Sequence, residues 1–256
     1  MKKILFAVLL IFASVAAIGA QDGPRGLASM WKSAEDAYAT GDFKAAVEQY
    51  ENLVSSGASS PSLFYNLGNA YYRRGNIGKA ILNYERALKL DPSDKDVKHN
   101  LEMARAHTLD KIDNVPQFIL FSWVRGVRNS LSSNAWAVLS LVFLAVGLAF
   151  MLIYRFSSRS SARRFFFIIA MIIFLSVIIT FLFSLSLARQ ARGGDSAVVV
   201  ENIGSVKSAP SAGGNSIFVL HEGTKVDILE RVQDWCRVEI SDGRQGWIKA
   251  SDIEVI

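Results

Sequence analysis

Hydrophobic positions follow three different rules along the chain. Across residues 27–109 they recur every three to four positions, the period of an amphipathic helix. Phe64, Leu67, Tyr71 and Tyr72 mark one such face, and Ile77, Ala80, Ile81, Tyr84 and Leu88 mark the next. Gly75 between them suits the left-handed residue that ends a helix. Ser60-Pro61 reads as an N-cap and first helical residue, and Asp91-Pro92 as a stop. Residues 135–154 and 165–187 then form uncharged runs of 20 and 23 residues. Each predicts a helix that crosses a hydrocarbon core at about 1.5 Å per residue. Beyond residue 195 the pattern shortens to β-branched runs at 197–200, 217–220, 226–229 and 238–240, separated by Gly and Ser. Asp242-Gly243 between WCRVEIS and RQGWIKA predicts a hairpin, and the whole segment predicts a small barrel.

The helical region repeats itself. Residues 27–60 align with 61–94, pairing Trp31 with Tyr65, Tyr38 with Tyr72, Gly41 with Gly75, Ala46 with Ala80 and Tyr50 with Tyr84. Small Gly68 and Ala80 predict close helix approach. Residues 95–109 present Val97, Leu101 and Ala104 on one side and Lys95, Lys98, Glu102 and Arg105 on the other, as a terminal capping helix would.

Charge refines the picture. The net charge is +5, with a pI near 9.3. Residues 115–192 hold eight arginines and no acidic side chain. The flanking soluble segments are mildly acidic, which removes the electrostatic basis for nucleic-acid binding. Arg155, Arg159, Arg163 and Arg164 lie in the loop 155–164, predicted to remain cytoplasmic between the two spans. Residues 1–20, with Lys2 and Lys3 before an apolar stretch and Gly19-Ala20 at its end, have the layout of a signal peptide, cleavage being expected after Ala20. An uncleaved anchor helix is the alternative. Together these place both soluble domains on the far side of the inner membrane. Residues 115–133 mix Phe118, Phe121, Trp123 and Val127 with Arg125 and Arg128, a pattern that fits an interfacial helix or a plain linker.

No constellation for catalysis is evident. There is no glycine-rich phosphate loop, no G-x-S-x-G and no HExxH. Ser29 and Lys32 match S-x-x-K, but no K-T-G accompanies them and they fall in a repeat helix. The single cysteine, Cys236, alternates with Val238 and Ile240 and reads as a buried apolar residue. A non-enzymatic protein without cofactor or metal is expected.

The segment LFYNLGNAYYRRGNIGKAILNYERALKLDPSD resembles the tetratricopeptide repeat. That resemblance implies a concave groove for extended peptides, lined by Trp31, Lys32, Glu35 and Tyr38, by Tyr65, Asn66, Asn69, Tyr72 and Arg73, and by His99, Asn100 and Met103. Of the residues that clamp a peptide's terminal carboxylate in some relatives only Asn66 is matched, so such recognition is not expected. Inter-helix packing is the competing role for the aromatic members. Residues 195–256 resemble the bacterial SH3 domain through AVVVENIGSVKSAPS, LHEGTKVDILERVQDWCRV and SDGRQGWIKASDIEVI. Lys207, Pro210, Trp235 and Trp247 are then the candidates for a binding surface, and Trp247 could equally belong to the core. The resemblance implies either peptidoglycan binding or a packing role.

The fold expected is a multi-domain membrane protein: an all-α repeat domain (27–109), a two-helix transmembrane hairpin and a small all-β SH3-like barrel (195–256). This order, with SLFYNLGNAYYRRGNIGKAILNYERAL and DKDVKHNLEMARA, resembles the BatE proteins of the Bacteroides aerotolerance system. That resemblance implies envelope protein partners, von Willebrand factor A-domain membrane proteins among them, and a link to aerotolerance or envelope stress. Two functions stay open: a scaffold that recruits partners through its groove, and a cell-wall sensor that binds peptidoglycan through the barrel.

Overall fold

A computed structural model describes residues 25–112, 119–193 and 196–256. The expected targeting segment 1–20 and residues 115–118 of the expected interfacial segment lie outside them. The described chain divides into two compact units, one holding residues 30–132 with 187–256 and the other residues 133–186 with 25–29.

In the first unit, α1 (Arg25–Ala39), α2 (Phe43–Ser55), α3 (Pro61–Arg73), α4 (Ile77–Leu90) and α5 (Lys95–Ala106) form the helical repeats. Local chemistry sets their ends. The Asp42, Ser60, Asn76 and Asp94 side chains accept from the backbone N–H groups of Ala45, Leu63, Lys79 and Val97, which would otherwise be unsatisfied at a helix start. Gly41 and Gly75 follow α1 and α3 with φ of 83° and 79°, where a side chain would be strained. The core runs through Ala46, Tyr50, Leu63, Leu67, Ala80, Ile81 and Tyr84, and α5 closes it with Val97, Leu101 and Ala104. A Cβ on Gly68 would lie 2.7 Å from the Tyr84 ring and 3.3 Å from the Ala80 carbonyl, so the α3–α4 approach requires glycine.

The remainder of this unit is an antiparallel sheet of seven strands: β1 (Ser196–Val199), β2 (Ile203–Lys207), β3 (Ser216–His221), β4 (Lys225–Val232), β5 (Trp235–Glu239), β6 (Gln245–Lys249) and β7 (Ile253–Val255). Their order is β3-β2-β6-β5-β4-β1-β7. Val199, Val206, Leu220, Val226, Cys236, Val238 and Ile248 fill its interior. Gly243, at φ 90°, turns β5 into β6 as the Asp-Gly pair predicts.

This sheet docks on α4, which is therefore buried on more sides than the repeat pattern implies. Gly223, at φ 86°, leaves room for Ile81 and Thr108, each 2.7 Å from where its Cβ would stand. Arg86 donates to the Val255 carbonyl at 2.6 Å and pairs with Glu254 at 3.0 Å; Lys89 donates to the Ile256 carbonyl at 2.6 Å. Glu85, its side chain only 8% exposed, joins three elements through Arg105 of α5 and Lys225 of β4, the latter at 2.7 Å. After α5, Asp110 accepts from the His221 N–H and the Thr224 hydroxyl, each at 2.7 Å, and lies 2.7 Å from the His221 ring. Burial pushes its carboxyl up, but the bonds from His221 and Thr224 outweigh that and hold it below the usual carboxylate range. α6 (Ile119–Arg128) follows and buries no residue.

The second unit is a helical hairpin. α7 (Ser133–Phe156) and α8 (Ser160–Arg192) are long and apolar enough to cross a membrane. Leu141, Leu148, Ile168, Ile172, Leu175 and Ile179 face outward. Ser133 donates to the Ser184 carbonyl at 3.0 Å, Trp136 meets Phe183 edge-on, and Gly147 admits Ile173. Both helices extend past the apolar runs. Only Ser157, Ser158 and Arg159 are non-helical between them, and Arg155, Arg163 and Arg164 lie within helix ends. Arginine has good helix propensity, so nothing stops a helix where hydrophobicity ends.

Candidate peptide-binding groove

The odd-numbered helices α1, α3 and α5 bring most of the expected groove residues together. Glu35, Tyr38 and Asn66 share a cleft of about 260 Å³ with Tyr50. The Asn66 side chain hydrogen-bonds the Tyr50 phenol, yet burial and the nearby Glu35 carboxylate push that phenol up to about 12. One repeat further on, the corresponding Tyr84 and Asn100 meet at Asn69. The Asn69 Oδ1 accepts from the Tyr84 hydroxyl at 2.7 Å and from the Asn100 amide at 2.9 Å. The Asn100 amide also reaches the Tyr65 hydroxyl at 3.2 Å. Burial drives the Tyr84 phenol further above its ordinary value. Tyr72 lies at the far end, its hydroxyl 3.2 Å from His107 Nε2.

The other expected residues take no part in these hydrogen bonds. Trp31 is half-buried and meets Tyr50 edge-on, with ring centroids 5.9 Å apart. Arg73 is exposed and stacks over Phe43 of α2 at 4.8 Å. Lys32, His99 and Met103 are exposed. Sequence reasoning missed Tyr50, Tyr84 and His107 as polar groups of the groove. Both tyrosines occupy positions that read as apolar packing, although their recurrence opposite Asn66 and Asn100 at the repeat spacing was an available signal. The groove thus combines aromatic walls with amide and phenol groups, a lining suited to the backbone of an extended segment. Asn69 has a structural part in it: without Asn69 the Tyr84 hydroxyl loses its acceptor.

On the barrel, three of the four candidate residues cluster. Lys207 and Trp247 are register partners of β2 and β6, and the Lys207 ammonium lies 5.5 Å from the Trp235 ring centroid. Lys207 also donates to the Ala212 carbonyl, which holds the following loop. Trp235 is buried at 9% exposure, so it offers little surface. Trp247 is half-buried, the core position of β6 being taken by Ile248. Pro210 is exposed in the loop after β2.

A helical repeat joined to a small antiparallel barrel is a modular architecture. Comparison with protein families places particular modules on the chain. Residues 61–94 match the tetratricopeptide repeat, residues 36–75 match a TPR repeat, and residues 203–254 match the bacterial SH3 domain. No curated protein matches the chain. The protein therefore carries tetratricopeptide repeats and a bacterial SH3 domain, together with two helices able to span a membrane.

Proposed function

We propose that this protein is a non-enzymatic scaffold of the inner membrane whose repeat groove recruits envelope proteins by an extended segment. One observation carries the reading: the described contacts of the barrel gather on α4, away from the cleft that Glu35, Tyr38 and Asn66 line. Tetratricopeptide repeats serve as protein-binding modules, which supports partners of that kind. Membership of a BatE-like group, with von Willebrand factor A-domain partners, rests on the order of modules and on the quoted phrases.

The topology belongs to the same proposal. Repeat and barrel form one compact unit although α7 and α8 lie between them in sequence. Domains that dock must share a side of the membrane, which supports an even number of crossings. The arginines around the hairpin turn favour a cytoplasmic turn and periplasmic domains. Reporter fusions at Ser158 and after Ile256 are expected to report the cytoplasm and the periplasm; the reverse pattern overturns this orientation.

The bacterial SH3 match supports peptidoglycan binding as a second reading, with exposed Pro210 and half-buried Trp247 as its candidate elements. A photocrosslinking residue placed at Lys32 or at Pro210 of the full chain separates the two. Protein adducts at Lys32 that disappear with Arg73→Glu favour the scaffold. Adducts with cell-wall fragments at Pro210, and none at Lys32, favour the sensor.

A further inference from the structure

Helix α6 presents an unusual surface for a water-facing element. Ile119 is 80% exposed, Leu120 56%, Phe121 68% and Trp123 67%. Only four residues separate α6 from α7. The cationic end of α6 faces the capping helix α5 across a cleft of about 650 Å³. Lys95 and Lys98 of α5 line it with Arg125 of α6, together with Ser93, Ser122 and Ser130, and no acidic side chain contributes. None of these three cations has an ion pair among the described residues. The charge is crowded enough to be felt nearby: burial, and then the Arg125 charge, lower the Arg128 guanidinium from its ordinary value. Lys98 also borders a second cleft that includes Arg189 of α8, two residues beyond the apolar run.

We propose that this cleft binds the phosphate of an anionic phospholipid, while the apolar face of α6 lies among the neighbouring acyl chains. The three cations supply charge and donors in excess of what a phosphate monoanion needs, while the Ser93 and Ser130 hydroxyls already donate to Asp91 and to the Val127 carbonyl. The apolar residues of α6 supply the non-directional part of the binding. A lipid held there ties the end of the repeat domain to the membrane surface. The inference rests on α7 and α8 spanning a membrane.

Native mass spectrometry of the full chain in detergent tests it, with phosphatidylglycerol, phosphatidylcholine and free glycerol 3-phosphate as probes. Near-surface cations contribute about fivefold each to anionic-lipid affinity, less when exposed and screened. A preference for phosphatidylglycerol over phosphatidylcholine of at least about tenfold is expected. Replacing Lys95, Lys98 and Arg125 by Gln should reduce it to about twofold or less, and replacing each by the other basic residue should retain it. Neutralising Arg159 and Arg163 at the hairpin turn should leave it unchanged. The proposal is overturned if the triple variant keeps its preference, if the hairpin-turn variant loses it, or if glycerol 3-phosphate binds as well as the lipid. A chain that remains dispersed without detergent overturns the membrane-spanning reading as well.

Discussion

Asp110 offers the sharpest probe of the docking between repeat and barrel. Its carboxylate is 16% exposed and faces three polar groups of the barrel at 2.7 Å, among them the His221 N–H and the hydroxyl of nearly buried Thr224. Hydrogen bonds to a charged group contribute about 1.5–3 kcal/mol each, and a donor left unsatisfied in a buried site costs about 1–3 kcal/mol. These do not add, because local opening admits water to both donors. A net loss of about 3 kcal/mol is expected for Asp110→Ala. At 1.4 kcal/mol per tenfold, opening at this contact becomes about a hundredfold more frequent. Hydrogen exchange of a peptide spanning residues 217–225, measured by mass spectrometry on the full chain, reads that change directly. Asp110→Asn should have a smaller effect, because it keeps one acceptor oxygen. The pH dependence follows from the depressed carboxyl. Its contribution is complete above the unfolded value of about 3.9 and is lost as pH falls through the lower folded value. Exchange within about threefold of the parent protein after Asp110→Ala would refute the assignment of Asp110 as a docking anchor.

Three further outcomes are expected. Gly68→Ala forces a methyl group to within 2.7 Å of the Tyr84 ring, so it should destabilise the full chain in detergent by about 1–3 kcal/mol; an unchanged melting temperature counts against the close α3–α4 contact. In a spectroscopic titration, Tyr50, Tyr71 and Tyr84, three of the seven tyrosines, should remain protonated at pH 11, since burial first, and for Tyr71 the Glu51 carboxylate next, raises them; complete ionisation by that pH would contradict their burial. Cys236 is buried and burial pushes its thiol up, so a disulfide reagent should label it only on unfolding; rapid labelling of the native protein would place it at the surface.

The helical elements were legible because repeat packing writes itself into spacing. Tyr65, Asn69 and Tyr72 fall on one helix of the second repeat, and the matching Trp31 and Tyr38 follow from the register. The β5–β6 hairpin was equally readable, since Asp242-Gly243 specifies its own turn. The docking of barrel on repeat was not. Glu85, Arg86 and Lys89 are charged residues on an amphipathic helix and read as solvent-facing. Only the folded chain brings Glu254, Lys225 and the Ile256 carbonyl to them. Asn69 shows a subtler failure. An amide on a helix surface reads as replaceable, whereas here it satisfies a buried phenol from the next helix. Trp235, a surface candidate by residue type, is drawn inward beneath the Lys207 side chain.

The docking of the barrel on α4 has a consequence for biosynthesis. The repeats emerge from the ribosome first, but the surface that covers Ile81 and Glu85 is encoded more than a hundred residues later, after both hairpin helices. During that interval the outer side of α4 has no cover, and Glu85 lacks its Lys225 partner. Completion of this unit therefore waits until α7 and α8 have been synthesised. A chain stalled between the two helices would present a half-covered repeat, so completion of the docked unit reports that both hairpin helices have been synthesised.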